Sequence, residues 1–262
     1  MRQNPKGQKQ KQSTKDDIEE ELLSRVMKKH SYFTKEDFNK LQVELTPKQH
    51  ELYKTIRNNT FTIVRGPAGT SKTFTTCYTA LGLLADKKVE KIIITKPILE
   101  AGETIGILPG DISQKTDIYM KSYMSTFKKI LGDFLFTALF ASGTIEINFL
   151  AYMRGDTFDN SIMILDEAQN VKMSQLMLWI TRLGKNSKAV MCGDVSQYDI
   201  EHRDAKFLTF IDMCNGMEEV IDFEFAREDI VRNKFLIELT DRYEKWKYST
   251  KDGRKNLDNN IS

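Results

Sequence analysis

The stretch GPAGTSKT, Gly66 to Thr73, places glycines, a lysine and a hydroxyl residue at the spacing that anion binding requires. Turns of this kind aim successive backbone N–H groups at one point, and the positive end of a following helix strengthens the field there. A phosphate is then stabilised with no carboxylate nearby to repel it. Gly66, Pro67, Ala68, Gly69, Thr70 and Ser71 would form the cradle, Lys72 would reach the β- and γ-phosphates of a nucleotide, and the Thr73 hydroxyl would ligate Mg²⁺. The pattern GxxxxGK[ST] asks for Gly where this chain has Ser71, and at positive φ that side chain costs about 1 kcal/mol, a tolerable strain.

A second reactive cluster follows the apolar run SIMIL, in SIMILDEAQN, Ser161 to Asn170. Asp166 and Glu167 stand where an apolar strand meets a polar turn, and in α/β sheets ligands sit at the carboxyl ends of strands, so both acids should face the glycine loop. Asp166 would hold the Mg²⁺ through its water, and Glu167 would orient and deprotonate an attacking water. Gln197, after the run KAVMCGD, is placed either to bond the γ-phosphate or to face solvent.

These groups need a scaffold of strands and helices. Phe61 to Val64 reads as a strand feeding the glycine loop, with a helix from Lys72 to Ala85. Lys91–Lys96, Ser161–Leu165 and Lys188–Asp194 are apolar runs suited to parallel strands covered on both faces, IEINFL is a further candidate strand, and Glu218–Phe223 reads as the last one. Thr46 as N-cap and Pro47 at the first helical position predict a helix with Leu52 and Ile56 as its buried stripe. Gln49, in its first turn, either reads the edge of adenine or lies on the surface. Thr14, Asp17, Ile18, Leu22 and Val26 predict an accessory helix ending near His30. Between Pro97 and Asn160 the chain is too long for a plain crossover and holds a helix-like stretch from Ile118 to Phe136. A final helix from Glu228 to about Trp246 is predicted to bury Val231, Phe235, Leu239 and Tyr243. Arg227 and Arg232 flank its first turn, where cations oppose the helix dipole; they answer either to an anion supplied from elsewhere or to Glu228 and Asp229.

With 262 residues and 40% apolar content, one core-bearing domain is expected. The net charge of +2 hides a basic segment at residues 1–15, with Arg2, Lys6, Lys9, Lys11 and Lys15 and no acid, which suits either nucleic acid or simple solvation. Cys77, Cys192 and Cys214 show no CxxC spacing, and His30, His50 and His202 share no ligand spacing, so reduced thiols and structural histidines are expected. No apolar run approaches the ~18 residues of a membrane span, and a cytosolic protein is expected.

Taken together, the segments TKPILEAGETIGILPGDISQK, FLAYMRGDTFDNSIMILDEAQN, TRLGKNSKAVMCGDVSQYDI and REDIVRN resemble the signature blocks of the PhoH family of P-loop NTPases, in sequence and in order, over roughly Thr46 to Tyr243. The resemblance implies an α/β, RecA-like fold with a mostly parallel sheet flanked by helices and N-terminal accessory helices, the Gln197 strand lying between the glycine-loop strand and the Asp166 strand. It further implies ATP as ligand, a link to RNA metabolism and a ring-like, often hexameric assembly, in the cytosol of bacteria or of phage-infected hosts. The domain plan that follows is a basic tail and accessory helix over 1–45, the ATPase domain over 46–248 and a polar tail over 249–262. Lys96 stands where the family often has Arg, and lacks the bidentate fork. The expected activity is Mg²⁺-dependent ATP hydrolysis coupled to single-stranded RNA, helicase-like, with Lys96, Arg154 and the segment from Glu100 to Lys115 as strand contacts. A slow nucleotide-gated RNA-binding or stress-response switch is the alternative. A P-loop kinase is a third reading, against which Glu167 argues because a kinase site must exclude water.

Overall fold

The computed structural model describes residues 33–97, 123–194 and 206–231, together with positions 235, 237–239, 242 and 246. The predicted accessory helix at Thr14 to His30, the segment from Glu100 to Lys115, Gln197, Arg232 and the polar tail lie outside the described residues.

A six-stranded parallel sheet organises the molecule, with β1 Phe61–Arg65, β2 Lys91–Lys96, β3 Ile145–Phe149, β4 Ser161–Leu165, β5 Lys188–Gly193 and β6 Val220–Glu224 in the order β3-β2-β4-β5-β1-β6. As the family resemblance implied, β5 separates the glycine-loop strand from the acid-bearing strand. Successive side chains of a strand point to opposite faces, and the apolar runs supply both faces at once. Val64, Ile92, Ile94, Ile162, Ile164, Val190 and Cys192 pack on one side, while Ile63, Ile93, Met163, Leu165, Ala189 and Met191 pack on the other. This is an α/β fold of the RecA-like order.

The first face is covered by helices α1 Lys35–Asn39, α2 Pro47–Asn58 and α3 Lys72–Ala85, by helical residues 123–131 and by α4 Asp133–Ala141. The second is covered by α5 Met173–Ile180 and α6 Phe207–Cys214. Helix α2 starts as predicted: Thr46 Oγ1 accepts the Gln49 N–H at 3.3 Å, Gln49 Oε1 accepts the Thr46 N–H at 3.0 Å, and Leu52 and Ile56 are buried. Gln49 is buried, which removes the surface alternative.

Three expectations need correction. The helix-like stretch from Ile118 to Phe136 is not continuous: Gly132 adopts φ 78°, which residues with a Cβ seldom adopt, and it divides residues 123–131 from α4. Both pieces join the sheet's core through Tyr123, Phe127, Phe136 and Leu139. The last strand lies at Val220–Glu224, about two residues later than expected. The helix from Glu228 does not begin there. Arg227–Asp229 forms a 3₁₀ turn closed by the Ala226 N–H donating to Asp229 Oδ2 at 2.8 Å, and Ile230 is extended. The Val231 N–H donates to the Gly69 carbonyl at 2.9 Å, so the chain here bonds to the glycine loop rather than coiling. The stripe expected to be buried is exposed at Val231, Phe235 and Leu239, and Tyr243 lies outside the described residues. Among the described residues no helix is long and apolar enough to cross a membrane.

Candidate functional site

All six strands run in the same direction, so the segments following β1, β4 and β5 converge at one end of the sheet. The loop after β1 turns sharply because Gly66 lies against the chain leaving β6: a Cβ on Gly66 would stand 2.7 Å from the Phe225 carbonyl oxygen and from its Cβ. Only glycine fits this approach. Thr70 Oγ1 donates to the Pro67 carbonyl at 3.0 Å and closes the loop on itself. Ser71 takes φ 64° and ψ 32°, the left-handed conformation the motif demands, so the strain anticipated from sequence is present. Its side chain makes no capping bond, and the first N–H groups of α3 stay available to an anion. Lys72 Nζ lies over the loop, donating to the Gly66 carbonyl at 2.6 Å and the Pro67 carbonyl at 3.0 Å.

The acids meet this loop from the neighbouring strand end. Thr73 Oγ1 donates to Asp166 Oδ2 at 2.8 Å, joining residues 93 apart in sequence. Tyr123 OH donates to the same oxygen at 2.9 Å, and the Glu167 N–H donates to Asp166 Oδ1 at 3.0 Å. Burial and the adjacent Asp166 charge push the Tyr123 hydroxyl well above the usual phenol range, which keeps it a donor. Glu167 adopts φ 57°, a strained turn directly after the strand. Its Oε2 accepts the Gln169 Nε2–H at 2.7 Å, and Gln169 Oε1 accepts the Asp194 N–H at 3.0 Å.

Around these groups lies a cleft of about 470 Å³ lined by Ala68, Gly69, Ser71, Lys72, Thr73, Asp166 and Glu167, and also by Thr126, Lys129, Asp194 and Val231. Structure thus brings the loop, Lys72, Thr73, Asp166 and Glu167 together. Gln49 does not line this cleft. Arg227 is exposed in the 3₁₀ turn, so opposition to a helix dipole no longer accounts for its placement. Lys96 ends β2, paired in register with Phe149, and Arg154 is exposed in the turn after β3. Both stand at the carboxyl edge of the sheet. Sequence reading missed Tyr123, Gln169, Thr126 and Lys129; only Gln169 had a visible signal, its place in the DEAQN block.

A parallel sheet of this order with a glycine-loop cradle at its carboxyl end defines a P-loop nucleotide-binding protein. The model of the family described as PhoH-like protein matches residues 43–244. The chain belongs to that family. It is 37% identical to a PhoH-like protein of Mycobacterium leprae over 76% of this chain and 57% of the relative, and 37% identical to one of Bacillus subtilis over 75% and 62%. Protein PhoH of Escherichia coli K12 is 35% identical over 69% of this chain and 52% of its own length. The chain therefore spans about half to three-fifths of the relatives it matches. Among solved structures, a Sulfolobus solfataricus SWI2/SNF2 ATPase core in complex with dsDNA aligns with a TM-score of 0.43 at 12% identity, over 70% of this chain and 45% of that one. The Pif1 helicase of Candida albicans aligns with a TM-score of 0.37 at 15% identity, over 72% and 42%.

Proposed function

We propose that the protein is a Mg²⁺-dependent ATPase whose turnover is coupled to single-stranded RNA. The carrying observation is the 2.8 Å contact between Thr73 and Asp166 on the floor of a cleft that Lys72 and Glu167 also line. A hydroxyl and a carboxylate oxygen at this separation suit a hard cation, so Thr73 and Asp166 would hold Mg²⁺. When bound, Mg²⁺ supplies neutralising charge to the phosphates. The chain's own residues do the rest. Loop N–H groups and Lys72 bind the phosphates, Tyr123 holds Asp166, and Glu167 orients the attacking water and accepts its proton. Gln197 reports the state of the γ-phosphate, and Arg232, with Arg227 as the second candidate, stabilises the transferring phosphoryl group across a subunit boundary in a ring. The adenine role expected of Gln49 is not kept, because its amide oxygen is held in the capping box of α2 and it does not line the cleft.

Lys96 and Arg154 at the carboxyl edge, with the basic residues 1–15, are the proposed strand contacts. Tyr152, 69% exposed and two positions from Arg154, offers a ring on which a base can stack. Such binding is dominated by phosphate, so affinity for single strands should fall with salt at a log–log slope of about −0.7 per phosphate neutralised.

Hydrolysis measured across RNA and DNA titrations tests the reading. Stimulation by RNA, with a reciprocal effect of ATP on RNA affinity, is expected. Salt-sensitive RNA binding that leaves turnover unchanged would replace the motor reading with that of a nucleotide-gated binding switch.

A further inference from the structure

Gln169 lies between two parts of the site and bonds to both. Its amide nitrogen donates to Glu167 Oε2 at 2.7 Å, and its amide oxygen accepts the Asp194 N–H at 3.0 Å. Partner chemistry fixes this orientation, because a backbone N–H can only donate and an ionised carboxylate can only accept. The side chain is 2% exposed, so bulk water does not compete for either bond. Asp194 directly follows β5 and stands three positions before Gln197. Glu167 itself sits on a strained turn at φ 57°, a conformation that persists where surrounding contacts fix it.

We infer that Gln169 is a positioning residue that holds the Glu167 carboxylate from the carboxyl end of β5, making turnover, but not nucleotide affinity, depend on it. This rests on the reading of Glu167 as the water-activating group. A displacement at the end of β5 is passed to Glu167 through two hydrogen bonds and one rigid amide. Neither bond touches the phosphate cradle, which is why binding and turnover separate.

The test uses the full chain and three variants. Gln169→Met keeps the volume and loses both bonds. Gln169→Glu keeps the acceptor for Asp194 while replacing the donor with a like charge beside Glu167, and Glu167→Gln removes the base. Affinity for a fluorescent ATP analogue is measured beside kcat and KM. Both Gln169 variants are expected to bind the analogue within about twofold of the parent, to keep KM, and to lose about tenfold or more in kcat. Combining Glu167→Gln with Gln169→Met should be no slower than Glu167→Gln alone, since nothing is left to position. Parental kcat in Gln169→Met beside an impaired Glu167→Gln overturns the inference and leaves the Glu167 reading standing. Parallel losses of affinity and thermal stability in both Gln169 variants also overturn it, by making the residue merely structural. Parental turnover in Glu167→Gln overturns the assignment beneath it.

Discussion

Strands β4 and β6 point the same way in one parallel sheet, yet they end differently. Every residue of β4 is buried, and the chain passes directly into Asp166, whose two oxygens accept three hydrogen bonds from Thr73, Tyr123 and Glu167. Among the described residues strand β6 has one neighbour, β1, and of its five residues only Phe223 is buried; beyond it come the buried Phe225, a short turn and the exposed Val231. A central strand delivers its terminal side chains into an environment walled by neighbours, where a charge is held in one geometry and electrostatics are strong. Strand β6 instead passes into Phe225, packed against Gly66, and presents no acid to the cleft among the described residues. The contrast teaches that the acid cluster around Asp166 is built where its strand has neighbours on both sides.

The largest effect expected from breaking the central side is Glu167→Gln, which should bind ATP yet hydrolyse it about 10²–10⁴ times more slowly. Lys72→Ala should instead lose tight ATP binding, because it removes the charge that compensates the phosphates. Equilibrium binding and ATPase assays run together separate the two defects. Near-parental turnover in Glu167→Gln would erase the functional difference between the strand ends.

For the proposed arginine finger, Arg232→Ala should cost about 10³ in hydrolysis, with a weaker effect for Arg227→Ala. In the proposed ring, mixing Lys72→Ala and Arg232→Ala subunits should recover part of the activity. Absence of recovery in rings proved to be mixed would place the arginine's action within one chain.

Stability gives a smaller and independent comparison. Ile164→Ala in the middle of β4 should cost about 2–5 kcal/mol by denaturant titration, because the side chain is fully buried. Ile221→Ala on β6, where the side chain is 37% exposed, should change stability by only about 0.5 kcal/mol. Similar losses at both positions would show that the edge is covered in solution.

The smallest effect is chemical. Burial pushes the Cys192 thiol up to about 12 and raises Cys77 well above the usual range, while Cys214, only half-buried, is also raised by its partial burial. Thiol titration at pH 8 should label Cys214 alone in the folded protein and reach Cys77 and Cys192 only after unfolding, since the thiolate is the reactive form.

Much of the fold was legible because its signals are local. The run SIMIL reads as a doubly covered strand from composition alone, Thr46 and Pro47 announce a helix start, and GPAGTSKT carries its own geometry down to the left-handed Ser71. What sequence could not show depends on distant pairing. Tyr123 reaches Asp166 from 43 residues away, and nothing in its own neighbourhood marks it as a partner of a carboxylate. The expected stripe Val231, Phe235 and Leu239 failed for a related reason: helical spacing reports a face, but not whether a second surface meets it. The hydrogen bond between Val231 and Gly69, which interrupts the helix at its expected start, has no periodicity to betray it.

That bond has a mechanical meaning. The peptide unit of Gly69 belongs to the cradle, and its carbonyl fastens the chain leaving the sheet at Val231. A rotation of that one peptide would carry the Val231 N–H with it or break the bond. Val231 also lines the cleft, so this bond ties the wall of the cleft beyond β6 to the cradle itself.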